Sequence, residues 1–70
     1  MQDTDLRRVE THLRRTFGVE TVSVRARPKI KDSAEVYVGE EFVGTITEDE
    51  DEAGSYYFEM AILAEDLDQA

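Results

Sequence analysis

A chain of 70 residues with 17 acids, 8 basic residues and no cysteine carries a formal net charge of −9. At this length only ~60% of the unfolded surface can be buried, which leaves no room for a deep enclosed active-site cavity. The absence of cysteine removes disulfides, thiolate nucleophiles and cysteine zinc sites together, so a reducing compartment, most simply the cytoplasm, is the expected location.

No apolar run approaches the ~18 residues of a spanning helix, and the opening MQDTDLRR lacks the apolar stretch of a signal peptide, so no membrane association is expected. Cutting the chain after Lys31 exposes a charge asymmetry. All eight basic residues lie before the cut with four acids, a net of +4; thirteen acids and no base follow it, a net of −13. A net negative chain repels phosphate backbones at long range, which disfavours nucleic acid unless the basic half acts locally.

From Thr4 to Phe17, Leu6, Val9, Leu13 and Phe17 recur at steps of three and four, the spacing of one helical stripe. Thr4 or Asp3 suits the N-cap, and Gly18 can take the left-handed conformation that ends the helix. Arg7, Arg8, Arg14 and Arg15 fall away from the stripe and predict a solvated face, with Glu10 able to pair with Arg14. Strict alternation from Thr21 to Lys31 predicts a strand, and Pro28, which donates no ladder bond, puts it at the sheet's edge. Asp32 and Ser33 read as a turn, and Ala34 to Val38 as the second strand. For Phe42 and Ile46 of the third strand to share the core face with Val36, the hairpin needs an odd loop or a bulge. A three-residue loop pairing Val38 with Phe42 is the favoured form, and a bulge at Gly44 is the alternative.

Glu48 to Glu52 are consecutive acids and predict an exposed loop; Tyr56, Phe58, Met60 and Ile62 then alternate as a fourth strand, although their apolar density would also suit a helix. The polar tail holds Leu67 as its one large apolar anchor. The expected fold is a single two-layer α+β domain over residues 1–70, with the N-terminal helix packed on a four-stranded antiparallel meander sheet. Its core is expected to hold Leu13, Phe17, Val24, Val36, Phe42, Ile46, Phe58 and Met60. A helix is narrower than four strands, so the tail and Leu67 are expected to cover the remainder.

The helix ending LRRTFG, followed by EVYVGEEFVG, DEDE and YYFEMAIL, resembles a small bacterial family of uncharacterised proteins of about this length. The resemblance covers nearly the whole chain. It implies membership in a domain of unknown function and transfers no activity and no functional residue.

Candidate chemistry is sparse. Asp49, Asp51 and Gly54 occupy the first, third and sixth positions of a calcium loop, but position five is Ala53, position twelve is Met60, and the flanks read as strands. Such a loop attracts cations weakly at most, and no metal or cofactor is expected. His12 is the single histidine, without the partners that a transition-metal site needs. Neither Ser33 nor Ser55 sits in a nucleophile motif, and the glutamates lack a cleft with opposed environments. No catalytic residue is assigned and no enzyme is expected.

Arg25, Arg27 and Lys29, together with Tyr37 and Tyr57 on the predicted outer sheet face, form the candidate partner-binding surface. Cations beside aromatics suit single-stranded nucleic acid. Glu35 and Glu59 share that face, and Arg25 and Arg27 are expected instead to pair across strands with Glu35. The leading expectation is a small non-enzymatic interaction or accessory protein that engages another protein or a second copy of itself. Local binding of nucleic acid or another polyanion by the basic half is the alternative.

Overall fold

The computed structural model describes residues 1–68. Helix α1 (Asp3–Phe17) is followed by β1 (Val22–Arg27), β2 (Ile30–Val38), β3 (Glu41–Glu48), β4 (Tyr56–Glu59) and a single helical turn, α2 (Ala64–Leu67). The four strands form one antiparallel sheet in the order β1-β2-β3-β4, so the expected two-layer meander is the observed architecture. Helix α1 stops at Gly18, whose φ of 67° is the left-handed cap anticipated for it. At the other end the cap is Gln2, earlier than Thr4 or Asp3, because the Asp5 carboxylate accepts the Gln2 amide at 2.9 Å.

Leu6 and Leu13 of α1 close over Val22 and Val24 of β1, Ala34 and Val36 of β2, and Ile46 of β3. These residues are the buried core. Val9, Val43, Tyr56 and Phe58 pack against it while remaining partly exposed. Phe17, Phe42 and Met60, all assigned to the core from periodicity, are instead 58%, 51% and 53% exposed. The causes lie in the strand connections and in where the helix sits.

The first hairpin turns at Pro28-Lys29, two residues that follow the last paired residue of β1. β1 therefore ends at Arg27 instead of continuing to Lys31, and Asp32 and Ser33 belong to β2 instead of forming a turn. Proline explains the position: a turn uses its fixed φ and needs no amide donor. In the second hairpin Val38 faces Glu41 across the two-residue loop Gly39-Glu40, with Gly39 at φ 63°. Tyr37 faces Phe42 and Val36 faces Gly44, so Val43 is an extra residue in β3. This bulge replaces the expected three-residue loop. It reverses side-chain parity on one side of itself only, so Val43 turns toward the core while Phe42 goes to the outer face. Ala34 still faces Ile46, as the alternation requires.

The bulge also limits β4. Glu59 pairs with Thr45, and one further step would set Met60 opposite Gly44, the last paired residue of β3 before the bulge at Val43. The fourth strand accordingly stops at Glu59 rather than running to Ile62. Gly44 is required there: a Cβ on it would lie 2.3 Å from the Glu59 carbonyl oxygen and 2.8 Å from the Phe58 ring. Beyond β4, the segment Met60–Asp68 runs as an arm. Ile62, Leu63 and Leu67 are exposed, and α2 buries no residue, so Leu67 does not provide the expected cover for the open part of the sheet.

Gly44→Ala should be strongly destabilising, because its methyl must displace backbone instead of a flexible side chain. A loss of ~1–3 kcal/mol is expected from this overpacking. It is measured by urea unfolding, with amide exchange accelerating first at Tyr57 to Glu59.

Candidate functional site

Arg25 and Tyr37 are brought together on the outer sheet face. The Arg25 guanidinium lies 4.0 Å from the centre of the Tyr37 ring. Phe42 meets that ring edge-on at 5.7 Å. The Tyr37 hydroxyl donates to Glu35 Oε1 at 3.2 Å, and Glu35 stands opposite Arg25 in the β1–β2 register. A neutral hydroxyl donating to a carboxylate resists ionisation, so the Tyr37 pKa is raised above 10.0, first by this bond and then by loss of water and by the Glu35 charge. Cation, ring and carboxylate thus satisfy one another.

The remaining members of the predicted surface do not join this cluster. Arg27 faces Ile30 and donates to Ser33 Oγ at 3.4 Å, so it makes no pair with Glu35. Lys29 lies in the hairpin turn. Tyr57 is on the outer face two strands from Tyr37, opposite Thr47 and exposed.

The helix provides a second arrangement. Residues 7, 10 and 14 form a stripe on one flank of the apolar stripe, and this flank is turned toward the free edge of β1. Glu10 Oε2 accepts the Val24 amide at 2.9 Å and Arg7 Nη1 at 2.9 Å, while Arg14 Nη2 lies 3.4 Å from Glu10 Oε1. Arg7 Nη2 donates to the Val24 carbonyl at 2.7 Å, and Arg14 Nε donates to the Val22 carbonyl at 2.9 Å. Three side chains therefore take the hydrogen-bonding places of an additional strand. Arg7 and Arg14, expected on a solvated face, are each only about half exposed, and both serve the β1 edge. Glu10 itself is buried. The i, i+3 and i, i+4 spacing beside an edge strand was the available signal for this clamp.

The opposite edge has no such cover. β4 pairs with β3 alone, and its outer side has no strand partner among the described residues. Beside it, the other flank of α1 and the inner side of β4 enclose a groove of about 550 Å³. Val9, Leu13, Ile46 and Phe58 contribute its apolar surface; Arg8, His12 and Asp5 are among its polar residues. Phe17 and Phe58 meet edge-on at 6.4 Å at one end. Tyr56, at the other, has its pKa raised, mainly by burial and further by Asp5 and Glu48. His12 is exposed and lies 3.3 Å from Thr16 Oγ1.

The acidic loop is organised by its own backbone. Asp49 Oδ1 accepts the amides of Asp51 at 2.8 Å and Glu52 at 3.3 Å, and the Asp49 amide donates to the Ser55 carbonyl at 2.9 Å. Among the described residues, no three His, Cys, Asp or Glu side chains converge in a way that would hold a metal ion. No helix among them is long and apolar enough to cross a membrane.

These features define a two-layer α+β domain with one sheet edge closed by side chains and the other open. The chain belongs to the family described as "Protein of unknown function (DUF3126)", whose model matches residues 5–66. No curated protein and no solved structure matches it.

Glu10→Ala should cost ~1.5–3 kcal/mol, the range for hydrogen bonds to charged groups, by leaving the Val24 amide without its acceptor. Glu10→Gln, which can still accept that amide, should lose less in the same unfolding titration. The Tyr37 phenol, followed at 295 nm, should ionise above the ordinary tyrosine range, and Glu35→Gln should lower its pKa. Because the folded-state pKa is raised, any stability from this bond is present below pH ~10 and lost as pH rises through the raised value.

Proposed function

We propose that this chain is a small non-enzymatic interaction or accessory module. It receives a protein partner along the open side of its sheet, where β4, the adjoining groove and the arm lie together. The observation that carries this reading is the unequal treatment of the two edges. Side chains occupy the hydrogen-bonding places along β1, whereas β4 keeps a free edge, with exposed apolar residues on the helix against its inner side (Phe17) and in the segment that follows it (Met60, Ile62 and Leu63). Exposed apolar surface next to an unpaired strand suits a docking partner, through added strand pairing and apolar burial together.

This moves the contact surface away from Arg25, Arg27 and Lys29. The reading as a polyanion binder is weakened by the engagement of the basic residues. Arg25 lies over Tyr37, Arg27 reaches Ser33, and Arg7 and Arg14 serve the β1 edge. Absence of cysteine favours a reducing compartment, and we place the module in the cytoplasm.

Photo-crosslinking in the native cell tests the reading. A benzophenone side chain at Met60 or Tyr57 should yield discrete protein adducts, whereas one at Lys29, in the opposite hairpin, should yield none. Absence of adducts from Met60 and Tyr57 would remove the proposal.

A further inference from the structure

We infer that the partner on the open side is a second copy of this chain, whose arm, Met60–Asp68, lies in the groove between α1 and β4, each copy giving its arm to the other. The inference rests on the interaction reading above and names its occupant. It begins from two surfaces that the same chain leaves unmatched. The arm carries Leu63 and Leu67, four residues apart and both exposed, flanked by Glu65, Asp66 and Asp68. The groove has an apolar floor and a polar margin that includes Arg8, His12 and Asp5, with Glu48 near its Tyr56 end. Asp5 is already occupied in part by the Gln2 amide. Apolar anchors between carboxylates thus match an apolar floor beside bases, which is the complementarity expected of a specific interface.

The arm does not fill its own groove. Tyr56 lies near Asp5 and Arg8 at the start of α1, and Phe58 lies near Phe17 at its end, so the chain leaves β4 at the end of the groove away from Arg8. From there Met60, Ala61, Leu63 and Asp66 continue beside Glu41 to Val43. A two-fold exchange brings each arm to the other copy's groove without reversing the chain. It also satisfies both surfaces at once, because an isologous interface uses every contact twice. Local charge, as distinct from the net −9 that each copy carries, favours the same choice. The second half of the chain has no base, so the basic first half of another copy offers its carboxylates cations that their own segment lacks.

Sedimentation of the purified full-length protein tests this. A concentration-dependent monomer–dimer equilibrium is expected, weakening as salt rises because exposed ion pairs are screened over ~10 Å at 0.1 M. The double variant Leu63→Asp/Leu67→Asp should raise the dimer dissociation constant at least tenfold while leaving the folded monomer intact, since both side chains are exposed in it. Arg8→Glu should weaken the dimer, and adding Glu65→Arg/Asp66→Arg to that chain should restore it. Amide spectra confirm that each variant is folded. A protein that stays monomeric at all concentrations, or a dimer indifferent to the arm substitutions, overturns the inference. Monomers in solution with photo-adducts to a different protein in the cell would remove the second copy and keep the interaction reading. Neither a dimer nor any adduct would remove both.

Discussion

The carboxylate of Glu10 is held between two arginines and a backbone amide of the outermost strand, and the position of the helix follows from it. A buried carboxylate is tolerated only when its oxygens are well partnered, and Arg7, Arg14 and the Val24 amide provide those partners together. Meeting all three requires α1 to lie toward β1. A helix ~10–12 Å across then cannot also cover the far side of a sheet whose strands are ~4.8 Å apart. The buried side chains accordingly reach Ile46 of β3, while Tyr56 and Phe58 of β4 remain partly exposed.

The same clamp protects the protein. An edge strand offers unpaired amides and carbonyls to any passing strand, and natural sheets blunt such edges with charge or cover. Here the arginines that bind the β1 carbonyls also carry charge to that edge. Two of the basic residues are thereby committed to internal work, and Arg25 and Arg27 are engaged on the other side of β1. The basic half of the chain is therefore less available to phosphates than its net charge of +4 implies. Arg8 and His12, on the opposite flank of the helix, instead face the groove by β4.

The bulge at Val43 acts on the other half of the molecule. By turning Phe42 outward it supplies an aromatic neighbour for Tyr37, and by interrupting β3 it removes the template on which β4 would have continued. The apolar residues from Met60 onward then leave the sheet. One local irregularity thus accounts both for the aromatic cluster on the outer face and for the exposed arm that the proposed association employs.

The sequence alone determined the helix over Thr4 to Phe17, its glycine stop, the four strands and their antiparallel order. These follow from local sterics and from periods of 3.6 and 2 that a single segment carries. It also identified the Glu10 to Arg14 pair, a neighbour relation within one helix, and the Arg25 and Tyr37 neighbourhood, which needed only the correct strand parity. The remainder depended on tertiary structure. Periodicity told that Phe17, Phe42 and Met60 were apolar and in phase, but their burial turned on the width of the helix, a bulge and the end of a ladder. The helical wheel placed Arg7 and Arg14 away from the apolar stripe, on a face expected to be solvated, because it could not show that a strand edge, with carbonyls lacking partners, would lie against that flank. The physical reason is that side-chain direction is set within a segment, whereas a partner is set by which segments meet, and in this chain both sheet edges obtained their character from contacts distant in sequence.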